Sequence, residues 1–393
     1  MIYISAAGLL NALGNNLDQI AENLIKGQAP GMQTSKDWLT GELNCYIGQV
    51  TADLPEIPDN FIQHLSRNNR LLLAALKQIQ PQVDEAFARF GKDRVAVIMG
   101  TSTSGLDEGD RAVAAYLSGK TNENYRYYQQ ELGDPSRFLA AWLGLSGACF
   151  TISTACSSSA RALLTGRRLI ETGLADAVIA GGADTLSRMP MNGFYSLDSL
   201  SMNPCVPFSK DRDGINIGEA AGLVLLSRDK LPGSKIALVG GGESSDAHHM
   251  SAPHPEGKGA KKAIRQALAD AKLEPQDIGY INLHGTATPL NDKVESAAIA
   301  EIFGTSVPCS STKHLTGHTL GAAGINEAIL SWLILDRNLS LPPQRLNEES
   351  IDPTLPPCGL LLQPAKLQSP YILSNSFAFG GNNACVILGE AND

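Results

Sequence analysis

The chain has 393 residues, 43% of them hydrophobic and 18% charged, which is enough for two domains or one large one with an ample core. A net charge of −9 disfavours nucleic acid as a partner, and no run of about 18 apolar residues offers a membrane span. Seven scattered cysteines without a C-x-x-C pair argue against structural zinc, so no metal is expected, and against a disulfide framework; they fit a reducing cytoplasm.

In chain order, residues 1–5 lack a basic leader and read as a first strand. A helical period covers 70–90, a strand-like run 94–99, and a polar, aromatic stretch 104–145 reads as an insertion over the site or at a dimer contact. Helix follows at 158–173 and strands at 177–181 and 221–226. The polar break at 228–235 is a candidate seam. Beyond it come a strand at 236–240, helices at 259–272, 292–303 and 325–336, and an irregular Pro-rich excursion at 338–369 before the last strands. The alternation predicts an α/β fold with helix-covered sheets and chemistry at strand ends. No close internal repeat is visible.

Within this order, Thr151-Ile-Ser-Thr-Ala-Cys156-Ser-Ser-Ser-Ala160 puts one cysteine among small residues on a strand-to-helix turn. Unpartnered N–H groups and the positive helix end there favour a thiolate nucleophile. A buried structural cysteine would read the same way. Ile281-Asn-Leu-His284-Gly-Thr286-Ala-Thr288 ends a strand in a His-Gly-Thr turn, and Lys313 stands five residues before His318 in a second such segment. Each histidine alone reads equally as a satisfied turn or core residue. Together they are the set expected of a thiol with imidazole helpers.

Four ordered motifs carry a family resemblance: Thr154-Ala-Cys156-Ser-Ser, His284-Gly-Thr-x-Thr, Lys313-x-x-x-Gly-His318-x-x-Gly-Ala-Ala-Gly and Asn375-Ser-Phe-x-Phe379-Gly-Gly-x-Asn383. With Asp211-Arg-Asp-Gly and Gly218-Glu-Ala-Ala-Gly, the chain resembles over its whole length the β-ketoacyl-[acyl-carrier-protein] synthases of the elongating Cys-His-His type, in the thiolase superfamily. The resemblance implies two pseudo-duplicated α/β halves in a five-layer αβαβα arrangement, 1–235 carrying the nucleophile and 236–393 the histidine pair. The implied reaction is decarboxylative Claisen condensation of malonyl thioester with an acyl group on Cys156. His284 and His318 would stabilise the enolate, Lys313 with Glu327 would hold the pair, and the N–H groups of Cys156 and Phe379 would form an oxyanion hole. Thr286 and Thr288 would bind the phosphopantetheine arm, with Phe377 beside the substrate and Phe379 as a gate.

No cofactor of the enzyme's own is implied; substrates ride on acyl carrier protein. That carrier is acidic, so a local basic patch is needed, and Arg67, Arg70, Lys210 and Arg212 are its candidates. Lys258, Lys261, Lys262 and Arg265 read as a solvated face. Asp211, Arg212, Asp213 and Glu219 also read as a buried ion network. Ala287 and Asn382 depart from the common pattern and point toward a dedicated pathway, aryl-polyene or another polyketide-like lipid. A degradative thiolase would need a second cysteine where Phe379 stands, and a starter-type synthase an asparagine instead of His318. A chain-length-factor subunit would lack Cys156, while a non-elongating thiolase-fold acyltransferase stays open. The expected assembly is a homodimer, or a heterodimer with a cysteine-less homologue.

Overall fold

A computed structural model describes residues 1–391. The first part of the chain runs β1 (Ile2–Leu10), α1 (Leu17–Lys26), β2 (Met32–Ser35), β3 (Cys45–Gly48), α2 (Arg67–Phe90), β4 (Val95–Gly100), α3 (Leu106–Leu117), α4 (Asp134–Leu143) and β5 (Cys149–Ile152). It continues through α5 (Ser158–Glu171), β6 (Ala177–Asp184), α6 (Arg188–Ser196) and β7 (Ala220–Ser227). The second part runs β8 (Ile236–Ser245), α7 (Lys258–Ala271), β9 (Tyr280–Asn282), α8 (Pro289–Phe303), β10 (Cys309–Ser310), α9 (Lys313–Thr316), α10 (Ala323–Arg337), β11 (Tyr371–Phe377) and β12 (Asn382–Glu390).

Strand order is β5-β4-β6-β7-β1 in one half-sheet and β8-β12-β11-β9-β10 in the other. The two orders mirror each other: each half has three parallel strands at its outer end and two antiparallel ones at the seam. Helices α2 and α4 cover the first half-sheet, α7 and α8 the second, and α5 and α10 lie between them, which gives the five layers. The half-sheets are also joined, because β1 pairs antiparallel with β8 from Ile2↔Leu238 to Ile4↔Ile236. The result is one continuous ten-stranded sheet folded around its middle layer.

Helix α10 is buried along most of its length, as a central helix must be, with Asn326, Glu327 and Ser331 among its buried residues. Its entry is tight: a Cβ on Gly324 would sit 2.6 Å from the backbone nitrogen of Ala160 at the start of α5. Helix α2 begins where Ser66 accepts the N–H of Asn69, three residues earlier than the periodicity predicts, and buries Leu72, Leu76, Ile79 and Val83. The 104–145 stretch is not one insertion. Its last part, α4, packs Phe138, Leu139 and Leu143 into the outer core beside β4 and β5, and only α3 and the turn around Tyr127 stand outside. Among the described residues, no helix is long and apolar enough to cross a membrane.

Candidate active site

Cys156 lies between the end of β5 and the start of α5. The chain turns there through Ala155, which adopts a left-handed φ of 50° and is small enough to do so at modest strain. Ser158 ties the turn, its Oγ donating to the Ala155 carbonyl at 2.6 Å and accepting the Thr154 N–H at 2.9 Å. The N–H groups of Phe379 and of Cys156 itself point at the sulfur. Burial nevertheless pushes this thiol up to about 11, outweighing those N–H groups and the Lys313 charge. The thiolate preference expected from the helix end is therefore not what the site produces; desolvation of a sulfur that is 5% exposed is the larger effect.

His284 follows β9 on a turn held from below by Glu295 of α8. The buried Glu295 carboxylate accepts the N–H groups of His284 and Gly285, each at 2.7 Å, and the Asn375 Nδ2 donates to it at 3.1 Å. Burial pushes Glu295 up to about 7. His318 follows α9 and is fixed through its backbone, its N–H donating to the Asn216 carbonyl at 2.6 Å and its carbonyl accepting the Gly218 N–H. Its Nε2 is 3.1 Å from the Cys156 Sγ, and the two imidazoles meet edge to face with centroids 5.3 Å apart.

Lys313 is 1% exposed. Its Nζ donates to the Glu327 Oε1 and the His284 carbonyl, both at 2.5 Å, and stands 3.4 Å from the His284 Nδ1. An ammonium has only protons to offer, so the lone pair faces it and the His284 proton is assigned to Nε2, on the pocket side. Burial, then the Lys313 charge, holds both histidines well below their ordinary range, so both rings are neutral. The ligand atoms of Cys156, His284 and His318 lie within 4.8 Å of one another, near enough to hold a soft metal ion, although the Lys313 charge behind His284 opposes a cation there.

These groups open into a cavity of about 280 Å³ whose walls include Phe194, Leu197, Ile215, Phe377 and Phe379. Thr286 and Thr288 line the same cavity, with their hydroxyls 2.9 Å apart. Phe379 packs against Phe194 with ring centroids 5.4 Å apart.

The basic candidates divide. Arg67 forks onto the fully buried Glu219 through Nε and Nη2, and Arg212, with a side chain 7% exposed, pairs with Asp352 at 2.6 Å and faces Asp292. Arg212 is thus an internal strut, whereas Arg67 is engaged by Glu219 but keeps a side chain 30% exposed. Arg70 is turned onto the Leu54 and Pro55 carbonyls and Glu56, which leaves Lys210 as the exposed one, in contact with the Glu349 carbonyl. The ion network is also wired differently from expectation: Asp211 and Asp213 are exposed, while Arg212 and Glu219 find partners elsewhere. Sequence reasoning passed over Glu295, Asn375 and Asn216 as functional residues. Asn375 opens a motif already picked out and Asn216 lies between two others, whereas Glu295 resembles any polar position of a helix.

Residues 1–231 match the family model of the β-ketoacyl synthase N-terminal domain and residues 236–347 that of the C-terminal domain. The chain belongs to the β-ketoacyl synthase family, acyltransferases on a thiolase-like fold. It is 31% identical to a 3-oxoacyl-[acyl-carrier-protein] synthase 2 of Staphylococcus aureus, with 98% of this chain and 97% of the relative covered. Among solved structures it is 62% identical to a ketosynthase (ApeO) in complex with its chain length factor (ApeC) from Xenorhabdus doucetiae, with a TM-score of 0.97 over 99% and 98% of the two chains. The ishigamide ketosynthase/chain length factor is similar at 25% identity, with a TM-score of 0.89 over 100% and 99%.

Proposed function

We propose that this chain condenses malonyl-carrier with an acyl group held on Cys156, losing carbon dioxide and releasing a 3-oxoacyl thioester two carbons longer. The observation that carries this reading is the meeting of one sulfur and two neutral imidazoles at the base of an apolar cavity. In the first step the thiol gives its proton to the His318 Nε2 as sulfur attacks the acyl thioester. The N–H groups of Cys156 and Phe379 hold the oxyanion, and the carrier's sulfur leaves with the proton. In the second step the Nε2–H of His284, joined by His318, donates to the malonyl thioester oxygen. Carbon dioxide then departs and the enolate carbon attacks the acyl carbon, expelling the Cys156 sulfur. Among the described residues no partner fixes the His318 Nδ1. The ring is therefore free to accept a proton in one step and donate one in the other.

Thr286 and Thr288 would bind the pantetheine arm and Phe379 would gate the acyl chain; the reading needs no bound cofactor. It treats 1–235 and 236–393 as the two thiolase-like halves, supported by the family-model boundaries and the mirrored strand order. The 62% identity to a ketosynthase in complex with its chain length factor favours a heterodimer, with this cysteine-bearing chain as the active half, and Ala287 and Asn382 favour a dedicated polyketide-like pathway over primary fatty-acid elongation. Seven unpaired cysteines favour the cytoplasm. Intact mass after incubation with a panel of acyl-carriers should place one acyl group on Cys156. Elongation by a Cys156→Ala variant would overturn the reading.

A further inference from the structure

Two cysteines outside the site face each other where the excursion of residues 338–369 runs along β10. Cys309, on β10, is fully buried, whereas Cys358, in the excursion, is partly exposed, and their sulfurs are 3.9 Å apart. The backbones that carry them are locked together: the Cys309 N–H donates to the Gly359 carbonyl at 2.8 Å and the Leu361 N–H to the Cys309 carbonyl at 2.9 Å. Gly359 lies so close to the segment before β10 that a Cβ there would be 2.0 Å from the Val307 carbonyl oxygen. Further ties follow beside the pair, from the Ser310 Oγ to the Pro342 carbonyl at 2.5 Å and from the Ser311 N–H to the Gln344 Oε1 at 2.9 Å. The two thiols are thus held at contact distance on a fixed frame, one of them on a partly exposed residue. Neither has a part in the condensation described above.

We propose that Cys309 and Cys358 are a peroxide-oxidisable dithiol that closes to a disulfide and clips the excursion onto β10. The sulfur of the partly exposed Cys358 attacks one oxygen of hydrogen peroxide, the O–O bond breaks, and Cys358 becomes a sulfenic acid as one water leaves. The Cys309 sulfur then attacks the sulfenic sulfur, the S–O bond breaks, and the departing hydroxide takes the Cys309 proton as a second water. Two thiols give two electrons to one peroxide. The Cys309 thiol hydrogen-bonds to Cys358 and holds Cys358 below its ordinary range, which suits it to attack first. Closure asks the sulfurs to approach by about 2 Å.

The test uses the whole chain. It is exposed to one equivalent and then an excess of hydrogen peroxide, alkylated under denaturing conditions, and mapped without reduction. The expected result is a mass loss of two hydrogens, a Cys309–Cys358 cross-linked peptide reversed by dithiothreitol, and a higher unfolding midpoint for the oxidised chain. Cys358→Ser should abolish the cross-link, leave the buried Cys309 reduced and acylate Cys156 as before. Sulfinic acid on Cys358 beside an alkylatable Cys309 would overturn the proposal. So would a cross-link to another cysteine, or two free thiols after excess peroxide.

Discussion

Lys313 offers the sharpest test of how the site keeps its histidines neutral. Its ammonium stands 3.4 Å from the His284 Nδ1 and 2.5 Å from the Glu327 Oε1, in a place almost without solvent. At an effective dielectric of ~20, a proton on His284 at that distance is opposed by about 5 kcal/mol. The Glu327 carboxylate on the same ammonium offsets part of this, and the net effect still lowers the histidines. Lys313→Met alone would strand a buried carboxylate and cost about 3–5 kcal/mol of stability, confusing the result. The double variant Lys313→Met/Glu327→Gln removes both charges together. Because the ammonium disfavours the imidazolium, its removal raises both histidines toward their ordinary range. Their neutral form is the active one, present above the folded value and lost as pH falls through it. The acid limb of malonyl-carrier decarboxylation should therefore begin at higher pH in the double variant. A folded double variant that still decarboxylates with an unmoved acid limb would refute the electrostatic argument.

With the Cys156 thiol at about 11, its iodoacetamide alkylation should rise about tenfold per pH unit from roughly pH 7 to 10 without levelling, as thiolate grows from a minor species; a plateau near neutrality would contradict the burial argument. Glu295→Gln turns one of its acceptors into a donor facing the His284 turn and should cost about 1–3 kcal/mol. Stopped assays should find decarboxylation slowed and acylation of Cys156 largely kept. Gly324→Ala should destabilise by about 1–3 kcal/mol or more, read by denaturant titration, because its Cβ meets the α5 backbone at 2.6 Å. Lys210→Glu should raise the KM for carrier without changing stability, whereas Lys261→Glu, from a residue paired with Glu301, should leave that KM unchanged. Arg67→Glu should unfold the chain, because it faces the buried Glu219.

What could be read in the sequence follows from how far apart along the chain the interacting groups lie. Cys156, His284, Lys313 and His318 each sit in a short run of small residues whose local geometry presents them, so the runs announce them. Glu327 enters only through the family resemblance, as a charge partner for Lys313; nothing local to Glu327 marks it. The helix–strand alternation was legible for the same local reason as the four runs, but the mirrored strand order was not. β1 (IYISAAGLL) and β8 (IALVGGGESS) occupy equivalent places and share little beyond a bury-and-turn pattern. Arg67 reads as a surface charge, and Arg212 as a surface charge or a network member without a known partner, because Glu219 and Asp352 lie 152 and 140 residues away. The thiolate at Cys156 was misjudged for a related reason. A helix end acts over one turn and is visible in sequence, whereas desolvation is imposed by Phe379, His318 and the cavity walls, which arrive from elsewhere. The buried charges make the same point in energetic terms. Lys313, Glu327 and Glu295 cost stability wherever an apolar residue would serve, so their presence around two imidazoles implies that orientation and protonation of those rings outweigh that cost.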